Sequence, residues 1–307
     1  MSKTKSLPTS LIEAIRYFSD LDVCTEFVAK LRWPNGPVCP KCGGVEYSYL
    51  KTRRLWKCRE CKKQYSVKLG TIFEDSPLGL DKWLPAVWLA ANSKNGISSH
   101  ELGRALGITQ KSAWFMLQRI RLAMQTGSFN KLDGEVEVDE TFIGGKARNM
   151  HKSVRDRKGP RTGWYDKTVV LGCASATASY APRSCRTRRP RRSSRRSRTT
   201  SLPVRRSTPT TATPTEALDA PTTIVRSITP SSRVHTNGLE NFWSLLKRGL
   251  NGTYVSVEPF HLFRYLDERV FTYNKFDWDD YGRFSAVLGM AAGRRLTYAE
   301  LTGRVSG

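Results

Sequence analysis

The chain lacks any run approaching about 18 consecutive apolar residues, the length a helix needs to cross a bilayer, so a membrane span is excluded. It also lacks an apolar stretch behind the charged start Met1-Ser-Lys-Thr-Lys-Ser, and no secretory signal is expected. Cysteines are few, seven in 307 residues, and the cytosolic setting that follows makes disulfides an unfavourable use for them. Acids are scarce: 27 Asp+Glu stand against 51 Lys+Arg, a net charge of +24. An excess of that size favours a polyanionic partner, nucleic acid first. The apolar fraction of 39% is lower than the usual roughly 45–50% but still sufficient for a core. The length points to about two domains.

Four of the cysteines are spaced for chemistry. Cys39-Pro-Lys-Cys42 and Cys58-Arg-Glu-Cys61 are separated by fifteen residues. Each C-x-x-C makes a tight knuckle that aims two thiolates at one ion, and four soft thiolates in a tetrahedron suit Zn²⁺. Short alternating stretches at Glu46–Leu50, Arg54–Lys57 and Gln64–Lys68 predict a three-stranded zinc ribbon over residues 39–70. About 30 residues bury too little to fold alone, so the metal is expected to act as a folding ligand. A closed four-cysteine shell leaves no open position, which makes it structural. Cys24 reads as a small core residue, and Cys173 and Cys185 have no ligand spacing.

The rest of the N-terminal half reads as helical. Residues 1–38 carry a helix around Ser19–Leu31 that stops at Arg32-Trp33-Pro34. Residues 80–125 begin with Leu80–Asn92, which is apolar on one face. Ser98-Ser-His-Glu101 is a capping-box pattern, Gly107 makes a turn, and Thr109 caps Gln110–Met124. Helix, glycine turn, helix is the helix-turn-helix signature, although an ordinary helical hairpin has the same pattern. On the DNA-binding reading Gln110, Lys111 and Ser112 sit where base edges are met, and Lys111, Arg119 and Arg121 meet phosphates.

Two strings in the second half carry carboxylates. Glu135-Val-Glu-Val-Asp139-Glu140-Thr-Phe-Ile-Gly-Gly145 alternates like a strand with Asp139 near its end, and Lys167–Ala174 reads as its neighbour. In His235-Thr-Asn237-Gly-Leu-Glu240-Asn-Phe-Trp243-Ser244-Leu-Leu-Lys247 a helix begins near Asn237. Its spacing puts Asn237, Glu240, Ser244 and Lys247 on one face, with Leu239, Phe242, Trp243 and Leu246 on the apolar side. A solvated helix face presents the same stripe. Phe260–Phe271 reads as a further core helix, and residues 286–307 as a final helix and C-terminal tail.

Ribbon, paired helices, VEVDETFIGGK and HTNGLENFWSLLKRGLNGTY together resemble insertion-sequence transposases with a DDE-type nuclease core, of the insertion-sequence 1595 (ISXO2-like) group. The resemblance spans about residues 10–173 and 234–275. It implies an α/β RNase H-like catalytic domain over residues 134–285, a mixed sheet flanked by helices. Asp139 would be the first catalytic carboxylate and Glu240 the third, with Asn237 as a substitute, and Lys247 would contact DNA near the cleaved bond. It further implies two Mg²⁺ or Mn²⁺ ions about 3.5–4 Å apart held by hard oxygen ligands. The expected reaction is in-line cleavage and joining of DNA at transposon ends and target, by a homo-oligomer at the nucleoid of a bacterial or archaeal cell.

One segment departs from that pattern. Residues 174–233 hold 13 Arg, seven Pro and no Lys, with Glu216 and Asp219 as the only acids. This segment contributes +11 of the net charge, and the remaining 247 residues still carry +13. Such a composition builds no core and the proline density argues against strands, so disorder and a disrupted middle of the catalytic sheet are expected. The family's second catalytic Asp belongs here. A paired reading-frame shift accounts for the composition: read from the third base of each codon, residues 201–232 can encode a string containing GSTVYTDDGHAY, with an Asp at the Pro209/Thr210 junction. Asp219 as a replacement is an expectation of little weight. The copy is then an inactive transposase, or a catalytically dead zinc-ribbon and helix-turn-helix DNA-binding protein. An Arg-rich RNA-binding protein accounts only for residues 183–206.

Overall fold

The computed structural model describes residues 6–125, 136–144, 152–153, 156, 167–175, 184–188, 222–224, 237–255 and 257–303. Local signals set most element boundaries. Helix α1 (Leu11–Tyr17) starts where the Ser10 side chain accepts the Glu13 N–H, and α2 (Leu21–Arg32) where Asp20 accepts the Asp22 N–H. Each replaces a bond that a first helical turn otherwise lacks. Helix α2 matches its predicted span and ends at Trp33, beside Pro34. Helix α1 was not anticipated, although Ser10-x-x-Glu13 is a capping signal.

The ribbon follows. Strands β1 (Tyr47–Leu50), β2 (Leu55–Cys58) and β3 (Gln64–Tyr65) pair antiparallel in that order. Tyr49 lies opposite Trp56 and Trp56 opposite Tyr65, so three rings share one sheet face. Trp33 meets Trp56 and Tyr65 edge-on at centroid distances of 5.3 and 5.9 Å. The ribbon is thus pinned to the end of α2 by aromatic packing.

Helices α3 (Leu80–Asn92), α4 (Ser99–Leu106) and α5 (Gln110–Met124) have the predicted limits. Ser98 accepts the Glu101 N–H, and Thr109 accepts that of Ser112. Gly107 closes α4 at φ 62°, a left-handed conformation that a Cβ disfavours. The first hydrophobic core gathers Phe18, Phe27, Trp83, Leu84, Trp88, Met116 and Ile120 from α1–α3 and α5.

In the second half, β4 (Val136–Ile143), β5 (Thr168–Ser175), β6 (Ser184–Arg188) and β7 (Thr222–Ile224) form a sheet in chain order. All three described pairings are antiparallel, and no parallel pairing of the expected mixed sheet is among the described residues. Strands β6 and β7 also lie inside the segment in which none was expected. Neither contains proline, and Ser-Cys-Arg-Thr-Arg and Thr-Thr-Ile leave every amide able to pair. The expected disorder of the other residues of 174–233, Asp219 among them, concerns positions outside the described residues.

Helix α6 (Asn237–Gly249) runs into a single π turn at Leu250–Tyr254, and α7 (Leu262–Asn274) follows. A second core joins Val170 of β5 to Leu239, Phe242, Trp243, Leu246, Tyr265, Leu266 and Val270. Phe271 of α7 belongs to the first core, so α7 is a wall shared by both. A short final helix lies within residues 286–307, as expected there together with a tail, and the residues before it are packed. Helix α8 (Asp280–Gly289) crosses that boundary and buries Phe284, Val287 and Leu288 in the first core. The chain then returns to the ribbon's exit, where Gly293 N–H donates to the Gly70 carbonyl at 2.7 Å, and ends in α9 (Tyr298–Thr302), closed by a capping box between Thr297 and Glu300.

Candidate functional site

The four spaced cysteines converge. The Sγ atoms of Cys39, Cys42, Cys58 and Cys61 lie within 4.8 Å of one another, with Cys39–Cys61 and Cys42–Cys58 at 3.6 Å. A tetrahedron with metal–sulfur bonds of about 2.3 Å has edges of about 3.8 Å, so the cluster fits one ion with little adjustment. The two knuckles are copies of one turn. Cys39 N–H donates to the Gly44 carbonyl at 2.9 Å, and Cys58 N–H to that of Lys63 at 3.0 Å. The residue after each second cysteine is left-handed: Gly43 at φ 78° and Lys62 at φ 59°. The backbone N–H groups of Cys42 and Lys41 help draw the Cys39 thiol down to about 7. The Gly44 N–H favours a Cys42 thiolate, but the neighbouring sulfurs Cys61, Cys39 and Cys58 and burial push Cys42 up to about 12. Thiolates set this close repel one another, and a cation among them offsets that repulsion. Cys24 is fully buried, donates its thiol to the Phe18 carbonyl at 3.1 Å and is pushed up to about 12 by burial. It is a core residue.

The second candidate centre forms where β4 meets α6. Asp139 is half-buried, and its Oδ1 accepts the N–H of Glu140 at 2.8 Å. Its Oδ2 accepts the indole N–H of Trp243, 104 residues later, at 2.9 Å. Trp243 is 5% exposed. Glu240 stands one turn before Trp243 on the same helix, and residues three apart have Cβ atoms about 5–6 Å from each other. The first strand's carboxylate therefore docks on the helix that carries the later one. Leu239, Phe242, Trp243 and Leu246 are buried and Glu240, Ser244 and Lys247 exposed, the division the periodicity predicts. The side chain of Asn237 lies outside the described residues, as does the whole of the stretch in which a second catalytic Asp was sought between β6 and β7. Trp243 was read as apolar filling only. The missed signal is chemical: a buried indole N–H requires an acceptor.

At the paired helices, Gln110, Lys111 and Ser112 are exposed at the start of α5. Gln110 Nε2 donates to Ser99 Oγ at 2.8 Å, and the Lys111 ammonium lies 5.6 Å from the centre of the Tyr298 ring of α9. Arg119 and Arg121 are corrected. Arg119 is 4% exposed, and its Nη1 donates to the carbonyls of Ile72 and Glu74 at 3.0 and 2.6 Å. Its guanidinium also stacks 4.3 Å from the Phe115 ring centre. Helical position placed it near the phosphates, but the α5 face it occupies turns inward and uses it to close a loop. Arg121 is 2% exposed, and its Nε donates to Glu268 Oε2 at 2.6 Å across the α5–α7 interface.

That interface holds a buried charge network which the sequence did not reveal. Glu268 also accepts from the Tyr254 hydroxyl and, at 3.2 Å, from Arg269. Arg269 reaches the Lys94 carbonyl at 2.8 Å. The Arg121 guanidinium sits 3.9 Å from the Tyr265 ring centre and 5.1 Å from that of Tyr254. Burial opposes the Glu268 charge, but Arg121 and then Arg269 hold its carboxyl below the usual carboxylate range. One helix turn of α7 thereby fastens the catalytic-half candidate to α5. Its neighbour Asp267 is pushed up to about 7 by burial, against the pull of Arg264 and Arg294.

Two separate stretches of the chain match known families. Residues 20–64 match the transposase zinc-ribbon domain of the IS1595 type, and residues 215–274 match the ISXO2-like transposase domain. The second match begins inside the Arg- and Pro-rich segment rather than at its expected border near residue 233, and the Asp139 string lies outside both matches. A 135-residue stretch is 28% identical to an uncharacterized protein in transposable element ISH50 of Halobacterium salinarum. It covers 42% of this chain and 45% of that relative, so the chain aligns with about half the length of the curated protein it matches. No solved structure matches. No helix among the described residues is long and apolar enough to cross a membrane.

Proposed function

We propose that this chain is an insertion-sequence transposase copy that grips DNA through its N-terminal half and carries an incomplete DNA-cleaving and joining centre. The observation that carries the reading is the Asp139–Trp243 hydrogen bond, which seats the first carboxylate on the helix of Glu240. The two domain matches support it from either side. On this reading β4–β7 with α6 and α7 are an RNase H-like core, α4 and α5 are a helix-turn-helix, and the four cysteines hold a structural Zn²⁺. Gln110, Lys111 and Ser112 face DNA, and Lys247, exposed two turns after Glu240, faces a phosphate beside the scissile bond.

Asp139 and Glu240 are hard oxygen donors of the kind that hold Mg²⁺ or Mn²⁺, with Asn237 as a possible further ligand from the start of the same helix. Bound there, the metal pair supplies an activated hydroxyl nucleophile and neutralises the leaving oxygen of in-line phosphoryl transfer. The protein's part is positional. Strand β4 presents Asp139, α6 presents Glu240 and Lys247, and Val170 of β5, paired with Thr141 of β4, packs the sheet against α6. The second catalytic Asp has no counterpart among the described residues, and the frame-shift reading of residues 174–233 explains its loss. The result is a DNA-binding protein with little or no strand-transfer activity, acting as a homo-oligomer on the ends of its own element.

The test is a pair of assays on the full chain with DNA carrying the element's ends. Specific retention of those ends with little or no Mg²⁺-dependent joining is expected. Robust joining overturns the inactive assignment, and absence of end-specific binding overturns the transposase reading. The nucleotide sequence is a second check: a third-base frame with a stop, or without an Asp at the Pro209/Thr210 junction, removes the frame-shift explanation.

A further inference from the structure

We propose that Trp243 is the positioning residue of the first catalytic carboxylate, so that the indole aims Asp139 at the metal; this rests on the metal-centre reading above. Asp139 receives one donor on each oxygen, the Glu140 amide on Oδ1 at 2.8 Å and the Trp243 indole on Oδ2 at 2.9 Å. Two donors on different oxygens fix the rotation of the carboxylate plane. A carboxylate oxygen has two lone pairs, so each oxygen keeps one for a cation. The Glu140 amide belongs to the same strand and moves with Asp139. The indole is the contact that comes from elsewhere in the fold.

Trp243 suits the task because packing holds it. It is 5% exposed, its ring centre lies 5.1 Å from that of Phe242, and it belongs to the core that joins β5 to α6 and α7. A partner held by packing and donating to a metal-binding carboxylate is the arrangement by which proteins orient their ligands before the ion arrives, and losing such a partner weakens metal affinity by about 10–100-fold. The same indole ties Asp139 to α6, the helix that carries Glu240 one turn earlier. The tryptophan thus sets both the direction of one carboxylate and its distance from the other's helix.

A bland alternative exists: a buried indole needs an acceptor, and Asp139 happens to provide it. The experiment that separates them uses the zinc-loaded full chain and titrates Mn²⁺ by electron paramagnetic resonance, with thermal unfolding recorded for every variant. Asp139→Asn defines the signal from this site. Trp243→Phe keeps an aromatic ring and loses the donor. Trp243→His restores it, since imidazole Nε2 stands as many bonds from Cβ as indole Nε1, and is measured at a pH where imidazole is neutral. Expected is loss of the site in Asp139→Asn, affinity about 10-fold weaker in Trp243→Phe, and recovery to within about 3-fold in Trp243→His. Trp243→Phe binding Mn²⁺ as the parent does, or both Trp243 variants losing affinity equally, overturns the proposal. Asp139→Asn binding as the parent does overturns the metal-centre reading itself, a separate failure.

Discussion

Glu268→Gln tests whether α5 and α7 are held together by charge. In the native protein Glu268 and Arg121 are each 2% exposed at the side chain, 2.6 Å apart, and Arg269 completes the pair at 3.2 Å. Removing the negative charge leaves two guanidinium groups in the interior, one of them between two tyrosine rings. Breaking a buried pair from one side costs about 3–5 kcal/mol, because the surviving charge stays desolvated and uncompensated. Glutamine keeps the shape and can still accept from Arg121 and Tyr254, so lost packing contributes little. The sign with pH follows from the lowered carboxyl of Glu268. Its stabilisation is complete above the unfolded value of about 4.3 and disappears as pH falls through the lower folded value. Urea unfolding of the full chain, followed by tryptophan fluorescence from pH 7 down to pH 3, should show a lower midpoint for Glu268→Gln at neutral pH and convergence with the parent in acid. A midpoint at pH 7 equivalent to less than about 1 kcal/mol of change refutes the reasoning, since that is the scale of an ordinary exposed pair.

Two further outcomes follow from the geometry. Cys58→Ser should abolish bound zinc, measured by elemental analysis against about one ion per chain, and expose the ribbon to proteolysis, because a closed thiolate shell supplies the ribbon's folding free energy; retention of one zinc by the variant contradicts the four-cysteine site. Asp267, 7% exposed and pushed up to about 7, is protonated in the folded chain and ionised in the unfolded chain between about pH 4 and 7. The folded state binds the extra proton there, so this group's contribution falls as pH rises through that window and is fully lost above 7, on the order of 4 kcal/mol; Asp267→Asn should remove this decline in a pH series of urea midpoints, and an unchanged slope contradicts it.

The sequence by itself determined what depends on near neighbours. Cysteine spacing closes a four-sulfur cluster because each C-x-x-C is one turn with its own backbone hydrogen bond. Ser98, Thr109 and Gly107 mark their helix ends because a cap acts within three or four residues. The 3–4 periodicity of α6 separated its buried residues from its exposed ones correctly. The sequence could not say where an arginine on a helix points when the partner lies far along the chain: Arg119 looks like a phosphate contact until the carbonyls of Ile72 and Glu74 are beside it, and Arg121 until Glu268 is, 147 residues away. For the same reason residues 286–307 read only as a final helix and tail, whereas Val287, Leu288 and Ala291 complete the first core. Tertiary structure alone decided that Asp139 meets Trp243, because a hydrogen bond about 3 Å long between residues 104 apart is set by the packing of a whole sheet on a helix, and no local spacing carries that information.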